Sequence, residues 1–212
     1  MKAVLVTGSS GDIGSSICRT LAADGWSLYL HYHSNDQRIT EMMREFQEDY
    51  PKQEFIPIKA DLVEDNAVEI IKGQLFSLHA VVFAHGTTEY GLLNDLTPER
   101  MDYLWKMHVK TPILITQAVQ SKIHKSTGGR VVFISSVYGE TGSSNEVFYS
   151  TVKGAQLAFV KAYSKEVASW NITVNAVSPG AIKTHMNDHF SETDLAVLEN
   201  EIPLGRLGEP SE

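Results

Sequence analysis

The sequence predicts an α/β protein of one domain, a doubly wound parallel sheet with helices on both faces in three α/β/α layers. Two observations carry this. Short apolar runs bounded by turn residues alternate with longer segments of helical period. The first run also leads directly into a glycine-rich turn, Thr7-Gly8-Ser9-Ser10-Gly11-Asp12-Ile13-Gly14, that opens a helix. A length of 212 residues suits one such domain, and two full-size domains would not fit it.

Taken in order, the strands are expected at Ala3 to Val6, Ser27 to Tyr32, Glu54 to Ile58, His79 to Phe83, Gly129 to Ser135 and Asn171 to Val177. Between the first two, Ile13, Ile17 and Leu21 recur every four residues and should form the packing face of a helix that Gly25 stops. Thr97-Pro98-Glu99 reads as a helix start, Thr capping and Pro in the first turn, with Met101, Leu104, Trp105, His108 and Val109 on one face. Pro112 falls inside that pattern and should kink or break it, since proline lacks the backbone donor. From about Glu146 to Val167 a further helix carries Phe148, Val152, Ala155, Phe159 and Ala162 at packing intervals.

Composition excludes several functions. Hydrophobic residues make up 42% and charged residues 21%, which rules out a disordered or charge-dominated chain. Eighteen Lys and Arg against 26 Asp and Glu give a net charge of -8, with no basic run to track nucleic acid. No apolar run approaches the roughly 20 residues of a membrane span, and the N-terminal run is too short for a signal peptide. The single cysteine, Cys18, fits a reducing compartment, with the cytoplasm expected. No metal site is expected either, because His185 and His189 share helical spacing without further ligands nearby.

The glycine turn is where chemistry first shows. Glycines let the backbone approach a pyrophosphate, and the first turn of the helix presents unpaired N–H groups to it. Gly8, Ser10, Gly11, Asp12, Ile13 and Gly14 are therefore candidate dinucleotide contacts. At the end of the second strand stands His31-Tyr32-His33-Ser34-Asn35, without the acid that would bond an NAD ribose. His33, Ser34 and Asn35, with Arg38 close by, favour NADP over NAD, while Asp36 keeps a plain polar loop open as the alternative. Asp61, with Leu62 beside it after the third strand, could accept from the adenine amino group, although an acid there is more often a turn or a cap.

Past the fifth strand come Ser135-Ser136-Val137 and Phe148-Tyr149-Ser150-Thr151-Val152-Lys153. Tyr149 and Lys153 are four apart, on one face of a helix, where an ammonium would favour ionisation of the phenol.

With the glycine turn, Ser136, Tyr149 and Lys153 together, the chain resembles the short-chain dehydrogenase/reductase family, and most of all its 3-oxoacyl-acyl-carrier-protein reductase-like members. Asn175-Ala176-Val177-Ser178-Pro179-Gly180 and Ile202-Pro203-Leu204-Gly205-Arg206 extend the likeness. The resemblance implies a Rossmann-type fold and NADPH-dependent reduction of a ketone on a small or carrier-bound acyl substrate, with Tyr149 as proton donor. It implies that Ser136 polarises the carbonyl oxygen and that Lys153 binds the nicotinamide ribose and lowers the pKa of Tyr149. Pro179, Gly180, Ile182 and Thr184 would lie beside the nicotinamide and pyrophosphate, and residues 183–199 would form a substrate lid. A homodimer or homotetramer is implied too.

The chain departs from the family pattern at several places. Asp12 stands where a glycine is usual and could cap the helix; a carboxylate there weakens pyrophosphate binding unless it points away. After the fourth strand, Ala84, His85 and Gly86 replace an Asn-rich turn, so only the backbone role of Gly86 carries over. His108 takes the place of a helix asparagine that completes a catalytic tetrad, either as a proton relay or as a packing residue. These departures motivate a second reading, a catalytically weak nucleotide-binding regulatory protein. Finally, the family continues past Pro203 to Glu212 into one more helix and a seventh strand, so the fold is expected to lack both and to leave the sixth strand as an open edge.

Overall fold

The computed structural model describes residues 2–124, 128–187 and 190–212. Six parallel strands form one sheet: β1 (Ala3–Thr7), β2 (Ser27–Tyr32), β3 (Phe55–Lys59), β4 (Ala80–Phe83), β5 (Arg130–Ile134) and β6 (Thr173–Val177). Their order is β3-β2-β1-β4-β5-β6, so the order reverses between β1 and β4, and the carboxyl ends of those strands open the crevice where such sheets bind ligands.

The helices are α1 (Asp12–Ala23), α2 (Asp36–Asp49), α3 (Ala67–Gln74), α4 (Pro98–Trp105), α5 (Thr111–His124), α6 (Tyr138–Thr141), α7 (Val147–Glu166) and α8 (Glu192–Glu201). They cover the two sheet faces over separate apolar clusters. Phe83, Phe133, Ile115 and Val160 belong to one, and Leu28, Leu30, Met42 and Phe46 to the other. β1 and β2 are buried along their whole length, as expected of central strands covered on both sides.

Three helix faces differ from the periodic reading. On α1 the buried residues are Gly14, Ser15, Cys18 and Ala22, while Ile17 and Leu21 flank them half-buried. Small side chains let the helix axis approach the sheet, and the larger ones then fill the margins. On α7 the buried face is Val152, Lys153, Gln156 and Val160, and Ala162 is exposed. Here two polar residues take core positions because the side chain of each donates to a backbone carbonyl, Lys153 to Ile134 O and Gln156 to His108 O. The third case follows α4. Thr97 caps it through Arg100 N–H, but residues Lys106–Lys110 then form a wide π turn before Pro112. That turn rotates the register, so Leu104, His108 and Val109 are buried while Trp105 is 44% exposed. Pro112 thus neither ends the helix nor simply kinks it: the π turn precedes it and α5 runs on through it to His124.

The C-terminal residues fold back on the segment after β6. Gly208 N–H donates to Ala181 O and Lys183 N–H to Gly208 O, and Arg206 holds Glu212 through both guanidinium nitrogens. Among the described residues no helix is long and apolar enough to cross a membrane.

Candidate active site

A cleft of about 780 Å³ lies at the carboxyl ends of β1, β4 and β5. Its floor is built by the glycine turn. Gly8 has φ +72°, and a Cβ on Gly14 would stand 2.1 Å from Gly8 O, so only glycine lets α1 begin this close to the turn. Gly11 caps α1 with extended backbone and no side-chain hydrogen bond. The first-turn amides of Asp12, Ile13 and Gly14 therefore meet the cleft without a side-chain cap, which is what an anionic pyrophosphate requires.

Asp12 does not cap its helix. Its Oδ1 accepts from Arg38 Nη1 at 3.0 Å, and its Oδ2 accepts from His185 N–H at 2.9 Å and lies 2.8 Å from His185 Nδ1. Burial pushes the carboxyl up, but the hydrogen bonds from His185 and Arg38 outweigh it and hold the group below the usual carboxylate range. Arg38 also donates to Ser15 Oγ at 2.9 Å. The guanidinium expected near a 2′-phosphate is thus bound to the start of α1.

The residues expected to read the nucleotide outside the glycine turn lie in the segments that follow β2 and β3. Asn35 accepts from Arg38 N–H and caps α2, and Ser34 O accepts from Asp36 N–H. Asp61 accepts from Val63 N–H in a tight turn, while its other oxygen lies 3.4 Å from His33 Nε2. Leu62 is buried in the core, and its carbonyl accepts from Thr111 Oγ1 at 2.7 Å. Gly8, Ser10, His33, Ser34, Asn35, Asp61 and Leu62 do not line the cleft, whereas Gly11 to Gly14, Ala84, His85, Gly86, Pro179, Gly180, Ile182 and Thr184 do.

On the opposite wall, α7 brings Tyr149 and Lys153 beside Ser136, which follows β5. All three side chains line the cleft, and the Ser136 hydroxyl favours the ionised form of the Tyr149 phenol. Lys153 Nζ lies 5.5 Å from the centre of the Tyr149 ring, yet it donates to Ile134 O at 2.9 Å. The expected lowering of the phenol is not what this geometry produces. Burial, reinforced by the Glu146 charge, pushes Tyr149 up to about 12 against the effect of the Ser136 hydroxyl. Desolvation likewise pushes Lys153 down to about 7, because its ammonium is enclosed with a carbonyl and no carboxylate.

His108 does not line the cleft. It is wholly buried, donates from Nε2 to Thr87 O at 2.7 Å, and leaves Nδ1 without a partner among the described residues. Desolvation, then the nearby Lys153 charge, holds the imidazole well below its ordinary pKa, so it is neutral. His85, from the expected cofactor set, is half-buried at the cleft, and desolvation pushes it down to about 3. Its neutral ring accepts from Thr7 Oγ1 at 2.6 Å and donates from Nε2 to Met107 O at 2.9 Å.

Several cleft residues carry no sequence signal. Tyr90, Glu146 and Phe190 line it, with Glu146 accepting from Thr88 Oγ1 at 2.6 Å and Asn145 Nδ2 donating to the Tyr90 hydroxyl. Tyr90 meets Phe190 edge-on with ring centres 6.4 Å apart. They come from loops and from the region before α8, where spacing says nothing about facing. Of residues 183–199, Thr184, His185, Met186, Asn187, Phe190, Asp194, Val197 and Leu198 line the cleft. His189, part of the metal consideration, lies outside the described residues. Among the described residues no three His, Cys, Asp or Glu side chains are grouped to hold a metal.

A glycine turn under an open helix start, facing a Ser-Tyr-Lys group across one crevice, defines a nucleotide-dependent oxidoreductase of the Rossmann type. The chain belongs to the short-chain dehydrogenase family, whose model matches residues 2–195. It is 37% identical over 212 residues to an uncharacterized oxidoreductase of Bacillus subtilis (strain 168), covering all of this chain and 87% of that protein. To the 3-oxoacyl-[acyl-carrier-protein] reductase of Aquifex aeolicus (strain VF5) it is 34% identical over 220 residues, covering all of this chain and 86% of that protein. Among solved structures, the angucycline C-6 ketoreductase LanV with bound NADP superposes with a TM-score of 0.91 at 26% identity, over 99% of this chain and 84% of that one.

Proposed function

We propose that this oxidoreductase uses NADPH to reduce a ketone, a 3-oxoacyl thioester in the first instance, to the secondary alcohol. The observation that carries the reading is the meeting of Ser136, Tyr149 and Lys153 on one wall of the cleft, across from the open amides of α1. The residues fit a dinucleotide. The Asp12 carboxylate, which would oppose a pyrophosphate, is paired with Arg38 and His185.

In this reading the amides of residues 12–14 hold the pyrophosphate. Pro179, Gly180, Ile182 and Thr184 flank the nicotinamide, and His33, Asn35 and Asp61 face the adenosine end. A bound reduced nicotinamide supplies the hydride. Ser136 donates to the ketone oxygen and polarises it, and Tyr149 delivers the proton that the new alkoxide needs. Burial suits that task, since it keeps the phenol protonated until a stronger base forms beside it. Lys153 would exchange Ile134 O for the ribose hydroxyls. Residues 183–199 act as the substrate lid, with Tyr90 and Phe190 giving the apolar wall for an acyl chain.

Support for the thioester comes from the similarity to the Aquifex aeolicus reductase and to the acetoacetyl-CoA reductase of Rhizobium meliloti, 31% identical over 217 residues. NADP is supported by the bound cofactor of the ketoreductase LanV. Self-association into at least a dimer belongs to the same proposal, since Trp105 and Leu114 leave apolar surface exposed. Initial rates with NADPH and NADH against 3-oxoacyl thioesters and simple ketones test the reading: NADPH-dependent turnover, best with a thioester, is expected. Absence of turnover across the panel overturns it.

A further inference from the structure

Pro112 has no N–H to give its helix. It can donate neither to His108 O, its partner in α-helical register, nor to Met107 O, its partner in the wider register that Thr111 N–H to Lys106 O establishes one residue earlier. Both carbonyls are taken up by side chains from elsewhere in the fold. His85 Nε2, just past β4, donates to Met107 O at 2.9 Å, and Gln156 Nε2, on α7, donates to His108 O at 2.7 Å.

The same turn is fastened to the β4 loop around its ring. His108 Nε2 donates to Thr87 O, and a Cβ on Gly86 would stand 2.5 Å from His108 Cε1, so the imidazole lies directly on the Gly86 backbone. Beyond it the ring meets Tyr149 edge-on. His85 in turn is bonded to Thr7 at the mouth of the glycine turn. Gln156 is 3% exposed and lies three residues after Lys153 on the buried face of α7. A buried amide in a core position is costly unless it is bonded, and here its donor meets the carbonyl that proline leaves.

We infer that Gln156 and His85 are positioning residues for the reductase: their side-chain N–H groups hold the two carbonyls that Pro112 cannot bond, and so fix the π turn that sets His108 against Tyr149. They act through that turn and touch no reacting atom in the case of Gln156. The inference rests on the reductase reading only for its kinetic consequence; the structural consequence stands apart from it.

The test is a double-mutant cycle on the full chain with Gln156→Leu and Pro112→Ala. Alanine at position 112 restores an N–H that can serve the stranded carbonyl. Gln156→Leu alone is expected to lower kcat about tenfold with KM for the nucleotide within twofold, and to speed hydrogen exchange of amides 106–116. In the double variant kcat should return to within about threefold of Pro112→Ala alone, and exchange should slow again. A Gln156→Leu variant that keeps kcat within twofold, or a loss that Pro112→Ala leaves unchanged, overturns the proposal. If the parent turns over no ketone, the reductase reading fails while the exchange data still decide the turn. Gln156→Glu, of equal size, covers the case in which leucine prevents folding: its kcat relative to the parent should fall with rising pH as the carboxyl loses its donor proton. A flat ratio overturns the proposal.

Discussion

The His108 imidazole meets the Tyr149 ring edge-on, with centres 5.6 Å apart and planes 85° from parallel. This contact makes a histidine on the π turn a neighbour of Tyr149 without opening it to the cleft. His108→Asn keeps an N–H for Thr87 O in a smaller side chain and is expected to retain most activity. His108→Leu leaves that carbonyl unbonded and should lower kcat about tenfold or more. Steady-state rates compare the two, and equal kcat for parent and leucine variant would show that ring packing alone is required.

Tyr149→Phe should abolish turnover while NADPH still binds, because the ring and its contact with His108 remain and only the transferable proton goes. Fluorescence titration of the cofactor beside the rate assay checks both halves. Turnover within tenfold of the parent would remove Tyr149 from the chemistry.

Asp12 is held ionised by His185 and Arg38 at the open start of α1, where the proposed function places the pyrophosphate. Asp12→Asn removes a negative charge and frees Arg38 from its partner. NADPH should then bind about tenfold tighter at low ionic strength, with the gain shrinking as salt is added and smaller for NADH. An unchanged Kd at low salt would mean that the carboxylate is not felt by the phosphates.

Lys153 carries a pH signature in stability. Its folded value of about 7 lies below the ordinary 10.5, so between these limits the unfolded chain binds more protons and stability rises with pH. The cost of enclosing the ammonium is therefore fully present below about 7 and relieved toward 10.5. Lys153→Met, inactive by the reading above, should melt above the parent by several degrees at about pH 6, with the difference narrowing as pH rises. Scanning calorimetry over that range measures it; a difference independent of pH would place the charge outside the buried site.

Much of this was legible in the sequence for local reasons. A strand that runs into Gly8, Gly11 and Gly14 leaves few alternatives to a tight turn under a helix start, and Tyr149 and Lys153 share a face because helical period demands it. Strand positions followed for the same reason, since buried parallel strands must be short apolar runs. The pKa of Tyr149 did not follow, because spacing places an ammonium near a phenol but says nothing of Ile134 O, which the ammonium bonds instead. Nor could spacing show that Asp12, Arg38 and His185 meet, as they are brought together from α1, α2 and the segment after β6.

By itself, then, the sequence determined the alternation of strands and helices, the glycine turn and the Ser136, Tyr149 and Lys153 group, all of which depend on neighbours in the chain. Tertiary structure alone decided which polar groups would be bonded and which charges desolvated. Pro112 shows the division most plainly. Its missing N–H is a property of the residue, but its consequence, a π turn held by His85 and Gln156, depends on two side chains that only the packed fold brings to Met107 and His108.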